Sequence, residues 1–149
     1  MKIYAAYGSN MHIGQMEMRC PGAKIIGKGT VPYRLMFHGL GKGVADIVPD
    51  KRCKTPVVIW EIDEMHEEAL DRYEGYPRLY IKENVPVTLE DGSQVQAMAY
   101  VMTEPHKVPT LPHQAYFNII RRGYIDNGIE VDILKTAWHR VYRQIRRRA

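Results

Sequence analysis

Apolar and polar positions alternate at strand spacing through the first two-thirds of the chain and at helical spacing near its end. The stretch Ile3 to Tyr7 is apolar on both faces and predicts a central first strand. Met11 to Arg19 predicts a short helix, broken at Cys20-Pro21-Gly22. Strands are then expected over Ala23 to Val31 and Tyr33 to His38, parted by Pro32, which a sheet tolerates at an edge or a bulge. Val44 to Val48 follows, and Pro56 to Ile62 is the clearest strand pattern in the chain. Asp63 has the chemistry of a helix cap, and Met65, Ala69, Leu70 and Tyr73 are spaced to lay one apolar stripe against a sheet before Gly75 ends that helix. Tyr80 to Leu89 and Ser93 to Met102 flank Asp91-Gly92, a hairpin signal that predicts antiparallel pairing. Three prolines from Pro105 to Pro112 predict an irregular loop, and Gln114 to Arg122 a helix ending toward Gly123 or Gly128. The last helix, Val131 to Arg147, carries Leu134, Ala137, Trp138, Val141, Tyr142 and Ile145 at the spacing of one buried stripe. Strands first, one inserted helix, then terminal helices make an α+β pattern: a small, mostly antiparallel sheet or barrel.

Composition narrows the classes. At 149 residues the chain has the length of a single domain, expected to span 1–149, and 45% apolar with 26% charged residues is the balance of a globular protein. The net charge of +4 is concentrated in Arg143, Arg146, Arg147 and Arg148, so the body gives no reason to expect a nucleic-acid partner. That basic end is most simply a helix terminus favoured by its own dipole. Cys20 and Cys53 are too few for a disulfide framework or a zinc site, and no apolar run approaches the roughly 18 residues of a membrane span. A cytoplasmic protein without a membrane partner is the expectation.

Two stretches carry candidate chemistry. The first is Tyr7-Gly8-Ser9-Asn10-Met11, where an apolar strand runs into turn-forming residues whose backbone amides can face a ligand; an ordinary strand exit would look the same. The second is Leu70-Asp71-Arg72-Tyr73-Glu74-Gly75-Tyr76-Pro77. A carboxylate placed last before a helix-breaking glycine stands at the negative end of the helix dipole, here near Tyr73, Tyr76 and Tyr80. Dipole and aromatic burial would both raise its pKa toward neutrality, as a proton carrier requires; a solvated glutamate at a helix end is the plainer reading.

Other motifs fail. Gly39-Leu40-Gly41-Lys42-Gly43 has Val44 where a dinucleotide fingerprint needs glycine and Gly43 where a Walker loop needs Ser or Thr, so it is taken as a flexible turn. Ser9 lacks the G-x-S-x-G elbow of a hydrolase nucleophile. The histidines His12, His38, His66, His106, His113 and His139 show no zinc-ligand spacing. His66 is expected on an exposed helix face and His139 packed beside Trp138.

Taken together, the Tyr7-Gly8-Ser9-Asn10-Met11 loop after a first strand and the later Leu70-Asp71-x-x-Glu74-Gly75 resemble the γ-glutamylcyclotransferase-like (AIG2-like) family. The similarity extends over the Tyr80 strand, the Met98 to Met102 strand and Pro112-x-x-x-Tyr116. The resemblance implies a small β-barrel flanked by helices and release of 5-oxoproline from a γ-glutamyl compound, with no cofactor and no metal. It implies Glu74 as acid/base residue and Tyr7, Gly8, Ser9, Asn10, Met11, His12 and Tyr116 at the substrate, with Tyr80 a looser match in spacing. The loop amides would hold either the substrate carboxylate or the oxyanion. A non-catalytic binding or interaction module of the same fold is the alternative. The leaving amine and the oligomeric state, a homodimer included, are left open.

Overall fold

A computed structural model of the protein describes residues 1–148. Its centre is a closed barrel of β1 (Lys2–Ala6), β5 (Thr55–Ile62), β2 (Lys24–Val31), β6 (Tyr80–Leu89) and β7 (Gln94–Met102), in that order around the wall. Neighbours pair antiparallel except where β1 meets β7, parallel at Tyr4 opposite Met98, and closes the barrel. β1 is thus central, as its two apolar faces require, with Tyr4, Ala5 and Ala6 buried. In β5 the continuous run Val57 to Trp60 is buried, which explains why it shows no polar alternation. The hairpin joining β6 and β7 turns at Asp91-Gly92, where Asp91 Oδ1 accepts from the Ser93 amide and Gly92 takes φ +88°.

Pro32 marks the point at which the chain leaves the barrel. Beyond it β3 (Tyr33–His38) and β4 (Val44–Pro49) form a separate antiparallel pair, a split that strand periodicity alone does not reveal. A buried carboxylate ties this pair to the barrel: Asp46 Oδ1 accepts from the Met102 and Ile47 amides, while Oδ2 pairs with His38 Nδ1 at 2.8 Å. These partners satisfy polar atoms that would be costly to leave unpaired in the core.

α1 (Ile13–Arg19) and α2 (Glu64–Glu74) follow β1 and β5. Asp63 caps α2 reciprocally: its Oδ1 accepts from the His66 amide and its own amide donates to His66 Nδ1. His66 Nε2 reaches the Pro21 carbonyl at 2.6 Å, so this side chain, expected on an exposed face, instead staples α2 to the end of α1. The apolar stripe of α2 is narrower than its spacing suggests. Ala69 and Leu70 are buried, but Met65 is 77% and Tyr73 57% exposed, because the helix touches the barrel along a narrow seam.

α3 (Gln114–Asp126) and α4 (Asp132–Arg148) complete the fold. α4 buries Leu134, Ala137 and Val141 and packs on β3, where Arg140 donates to the Leu35 carbonyl; Trp138 and Ile145 are half-buried and Tyr142 lies at the edge, stacked on Trp138. His139 meets the Trp138 ring edge-on. Among the described residues no helix is long and apolar enough to cross a membrane.

Candidate active site

One end of the barrel opens into a cavity of about 270 Å³. Its floor begins where β1 ends. Tyr7 is buried, its hydroxyl donating to the Tyr100 carbonyl on β7, and the chain then turns through a 3-10 helix over Ser9–Met11. The first bonded amide of that turn is Met11, to the Gly8 carbonyl, so the preceding amides at its start are the ones left to meet a ligand. The turn is held from behind by α3. A Cβ on Gly123 would stand 2.8 Å from Met11 backbone carbon, so only glycine lets α3 come this close, and Asn127 Nδ2 donates to the Met11 carbonyl.

Asn10 fixes the turn from the cavity side. It is 2% exposed; its Oδ1 accepts from Gln15 Nε2 and Arg19 Nη1, both at 3.0 Å, its Nδ2 donates to the Tyr4 hydroxyl at 2.9 Å, and Trp60 Nε1 donates to its carbonyl. The same Nδ2 approaches Glu74 Oε1 at 3.4 Å. This contact joins the two stretches in which the sequence places the chemistry.

Glu74 is the last residue of α2, and Gly75 caps the helix in the left-handed region, φ +64°. Its carboxyl faces the cavity, enclosed by protein, and burial raises its pKa from 4.5 to about 7. Arg19, which also lines the cavity, acts in the opposite direction. Of the tyrosines expected near the carboxyl, Tyr73 and Tyr80 line the cavity with it and Tyr76 does not. Tyr80 lines the cavity, but Tyr76 turns out to carry the Lys82 ammonium 4.3 Å from its ring centroid, and Tyr73 sits at the rim beneath the Arg19 guanidinium at 4.2 Å. The inner walls are Tyr4, Tyr7, Tyr100 and Tyr116. Burial pushes the Tyr4, Tyr7, Tyr100 and Tyr116 hydroxyls upward, so they stay protonated and act as neutral hydrogen-bonding groups at physiological pH.

The Tyr80 and Tyr116 hydroxyls are both anchored on one residue of β4, Ala45. Tyr80 donates to the Ala45 carbonyl at 2.5 Å, and the Ala45 amide donates to Tyr116 at 2.9 Å. Tyr100 donates to Asp71 at 2.6 Å, and Asp71 with Glu67 holds Lys82. Hence β4, β6, β7, α2 and α3 are locked together around one space.

Of the residues named from sequence, Tyr7, Gly8, Ser9, Asn10, Glu74, Tyr80 and Tyr116 line this cavity. Met11 and His12 do not. Met11 is fully buried against α3, and His12 Nδ1 accepts from the Gln15 amide as the cap of α1. Met11 turns away because the 3-10 turn points it into the core, and His12, the residue after that turn, is held by its capping bond. Ser9 Oγ accepts from Gln15 Nε2, and no histidine hydrogen-bonds to it. Arg19, Ala45, Tyr4 and Tyr100 join the site without any local signal in the sequence, and Lys42 joins it from the Gly39 to Gly43 turn. Among the described residues no group of three or more His, Cys, Asp or Glu is placed to hold a metal ion.

A closed barrel with helices outside it, and a glycine turn and a buried carboxyl facing one cavity, define an α+β barrel protein with an acid-bearing pocket. Comparison supplies the family. The sequence profile described as gamma-glutamyl cyclotransferase, AIG2-like, matches residues 4–118, and the chain belongs to this family. It is 26% identical over 146 residues to the gamma-glutamylcyclotransferase of Bos taurus, covering 89% of this chain and 75% of that protein. The Homo sapiens protein of the same name is 26% identical over 140 residues, covering 87% and 73%. A solved structure titled gamma-glutamyl cyclotransferase superposes with a TM-score of 0.82 at 24% identity, over 91% of this chain and 85% of the other, a likeness of fold.

Proposed function

We propose that this protein is a cyclotransferase that releases 5-oxoproline from a γ-glutamyl compound, with Glu74 as the general acid and base. The observation that carries the reading is Glu74 itself: a carboxyl raised to about 7, facing the same cavity as the Gly8 to Asn10 turn, in a chain of this family. A group with that pKa can both take and return a proton near neutrality.

In the proposed reaction the α-amine of the glutamyl group attacks its own γ-carbonyl carbon. The α-ammonium first gives one proton to solvent; the free amine then closes a five-membered ring with a new C–N bond, and the second proton, shed by the ring nitrogen, passes to the Glu74 carboxylate. The tetrahedral intermediate then breaks its bond to the departing nitrogen, which takes the proton back from Glu74. No protein nucleophile is required, which fits the engagement of Ser9 Oγ by Gln15. Folding the substrate into the reactive conformer is the first contribution of the cavity, and such positioning can supply up to about 7 to 11 kcal/mol. Arg19, fixed on Asn10 beside Glu74, is suited to the glutamyl α-carboxylate, which leaves the amides opening the 3-10 turn for the developing oxyanion.

Incubating the protein with a panel of γ-glutamyl amino acids and γ-glutamyl amines, with chromatographic identification of products, tests this reading. Release of 5-oxoproline with an equimolar amine is expected. Release of glutamate would instead identify a hydrolase, and no reaction across the panel would leave a binding module.

A further inference from the structure

The last helix carries a surface that the cavity does not use, since no described residue of α4 lines that cavity. Its buried stripe, Leu134, Ala137 and Val141, packs on β3. From Ile133 to Arg148 the helix holds no acidic residue, and Lys135, Arg143, Arg146 and Arg147 are exposed. Helix polarity favours cations in the last turn, which covers Arg146, Arg147 and Arg148. It does not account for Arg143 or for Lys135, about three turns earlier. Among the described residues none of Lys135, Arg143, Arg146 and Arg147 lies in an ion pair.

The spacing orders these charges. Lys135, His139, Arg143 and Arg147 recur at every fourth residue and so form one row along the helix, a side chain about every 6 Å. The neighbouring row is a stack. The Trp138 and Tyr142 rings lie 5.3 Å apart at 11°, and the Arg146 guanidinium sits 5.7 Å from the Tyr142 centroid while donating to its hydroxyl at 3.0 Å. Trp138 also lines a hollow of about 230 Å³, with Phe117 and Gln114 of α3 on one side and Lys135 and His139 of α4 on the other. That is below the roughly 300–1,000 Å³ of a pocket enclosing a drug-sized ligand, and it suits one flat ring entering between Trp138 and Phe117.

The occupant follows from which chemistry uses both rows. An anionic membrane would need an apolar helix face to insert, and that face of α4 is buried on β3. An acidic peptide would use the cations and leave the aromatic slot without a purpose. A single-stranded nucleic acid uses both, with phosphates along the cationic row and a base against the rings. We propose that the α3–α4 face binds single-stranded nucleic acid, with Lys135, Arg143 and Arg147 following the backbone and one base stacked in the slot between Trp138 and Phe117. Such contacts read phosphate and ring face, so base preference is weak and Kd lies at about 10⁻⁴ to 10⁻⁶ M at physiological salt.

The test titrates the full chain with oligo-U and oligo-dT of about ten nucleotides, a duplex of the same length, and polyglutamate, following anisotropy and tryptophan emission together. Of the two tryptophans Trp60 is buried in the barrel and Trp138 lines the slot, so a stacked base quenches Trp138. Binding of oligo-U or oligo-dT with quenching is expected, and the tighter of the two names the class of strand. Log Kd should rise with log salt at a slope of about 2–3, as for roughly three to four neutralised phosphates. Arg143→Glu with Arg147→Glu should weaken binding at least tenfold, lower that slope by about 1.4, and leave 5-oxoproline release unchanged. Trp138→Leu should weaken binding at least about fivefold with the slope kept. Thermal melts check each variant, and because Trp138 is half-buried, quenching in the wild-type protein reports stacking even where Trp138→Leu is unstable. Absence of binding to both oligonucleotides, binding without quenching, tighter binding of the duplex or of polyglutamate, or affinity unchanged in the double arginine variant overturns the proposal.

Discussion

Asn10→Ala probes how the cavity is held together. The substitution removes acceptance from Gln15 and Arg19, both at 3.0 Å, donation to Tyr4 at 2.9 Å, and the longer contact to Glu74. A neutral hydrogen bond contributes about 1 kcal/mol net and one to a charged group about 1.5–3 kcal/mol. Gln15 and Arg19 are only partly buried and can turn to water after the change, so the upper end of that sum will not be reached. A loss of about 2–4 kcal/mol is expected, which for a domain of this length lowers Tm by roughly 6–12 °C. Urea melts followed by circular dichroism measure it, with the midpoint falling and the slope constant. Asn10→Asp separates the contacts: it keeps an acceptor for Gln15 and Arg19, loses the donor to Tyr4, and sets a second carboxylate beside Glu74. That variant should be less destabilised than Asn10→Ala, and its pH-activity limb should move upward because a like charge disfavours Glu74 ionisation. An Asn10→Ala protein within about 0.5 kcal/mol of wild type would refute the reasoning, since each contact would then be worth almost nothing.

Two further outcomes follow from the geometry. A Cβ on Gly8 would meet the Ala45 Cβ at 3.0 Å, so Gly8→Val should displace the Ala45 backbone that anchors Tyr80 and Tyr116 and weaken substrate binding at least tenfold by titration calorimetry; unaltered affinity would remove the turn from the binding site. Glu74 should also leave a mark on stability. Its carboxyl is protonated in folded and unfolded chains below pH 4.5, and between there and about pH 7 only the unfolded chain gives up the proton, so stability falls as pH rises through that window. Relative to wild type, Glu74→Gln should therefore gain about 1–3 kcal/mol at pH 8 and little at pH 4.5 in urea melts; an equal difference at both pH values would show that the carboxyl is not buried.

What could be read from the sequence was local. The capping chemistry of Asp63, the turn at Asp91-Gly92, the apolar run of β5 and the stop at Gly75 each depend on residues near one another in the chain, and each element lies where its pattern puts it. Barrel closure through β1 and β7 and the separation of β3 and β4 are long-range choices that periodicity does not encode. The site divides in the same way. Glu74 was visible from its place before a helix-ending glycine, yet the tyrosines that bury it, Tyr4, Tyr7, Tyr100 and Tyr116, arrive from β1, its exit, β7 and α3. Arg19 gave no signal, because a cation at a helix end is ordinary until the fold aims it at a cavity. Met11 and His12 are placed at the substrate only by the family resemblance, and in the structure Met11 packs against α3 while His12 caps α1.

The central claim is that Glu74 moves the proton in a cyclisation. It is tested most directly by quantifying 5-oxoproline formed from a γ-glutamyl substrate by wild-type and Glu74→Gln proteins of matched thermal stability. The account predicts 5-oxoproline from wild type and a kcat lower by about 10²- to 10⁴-fold in Glu74→Gln, with substrate still bound; 5-oxoproline released by Glu74→Gln at the wild-type rate would contradict it.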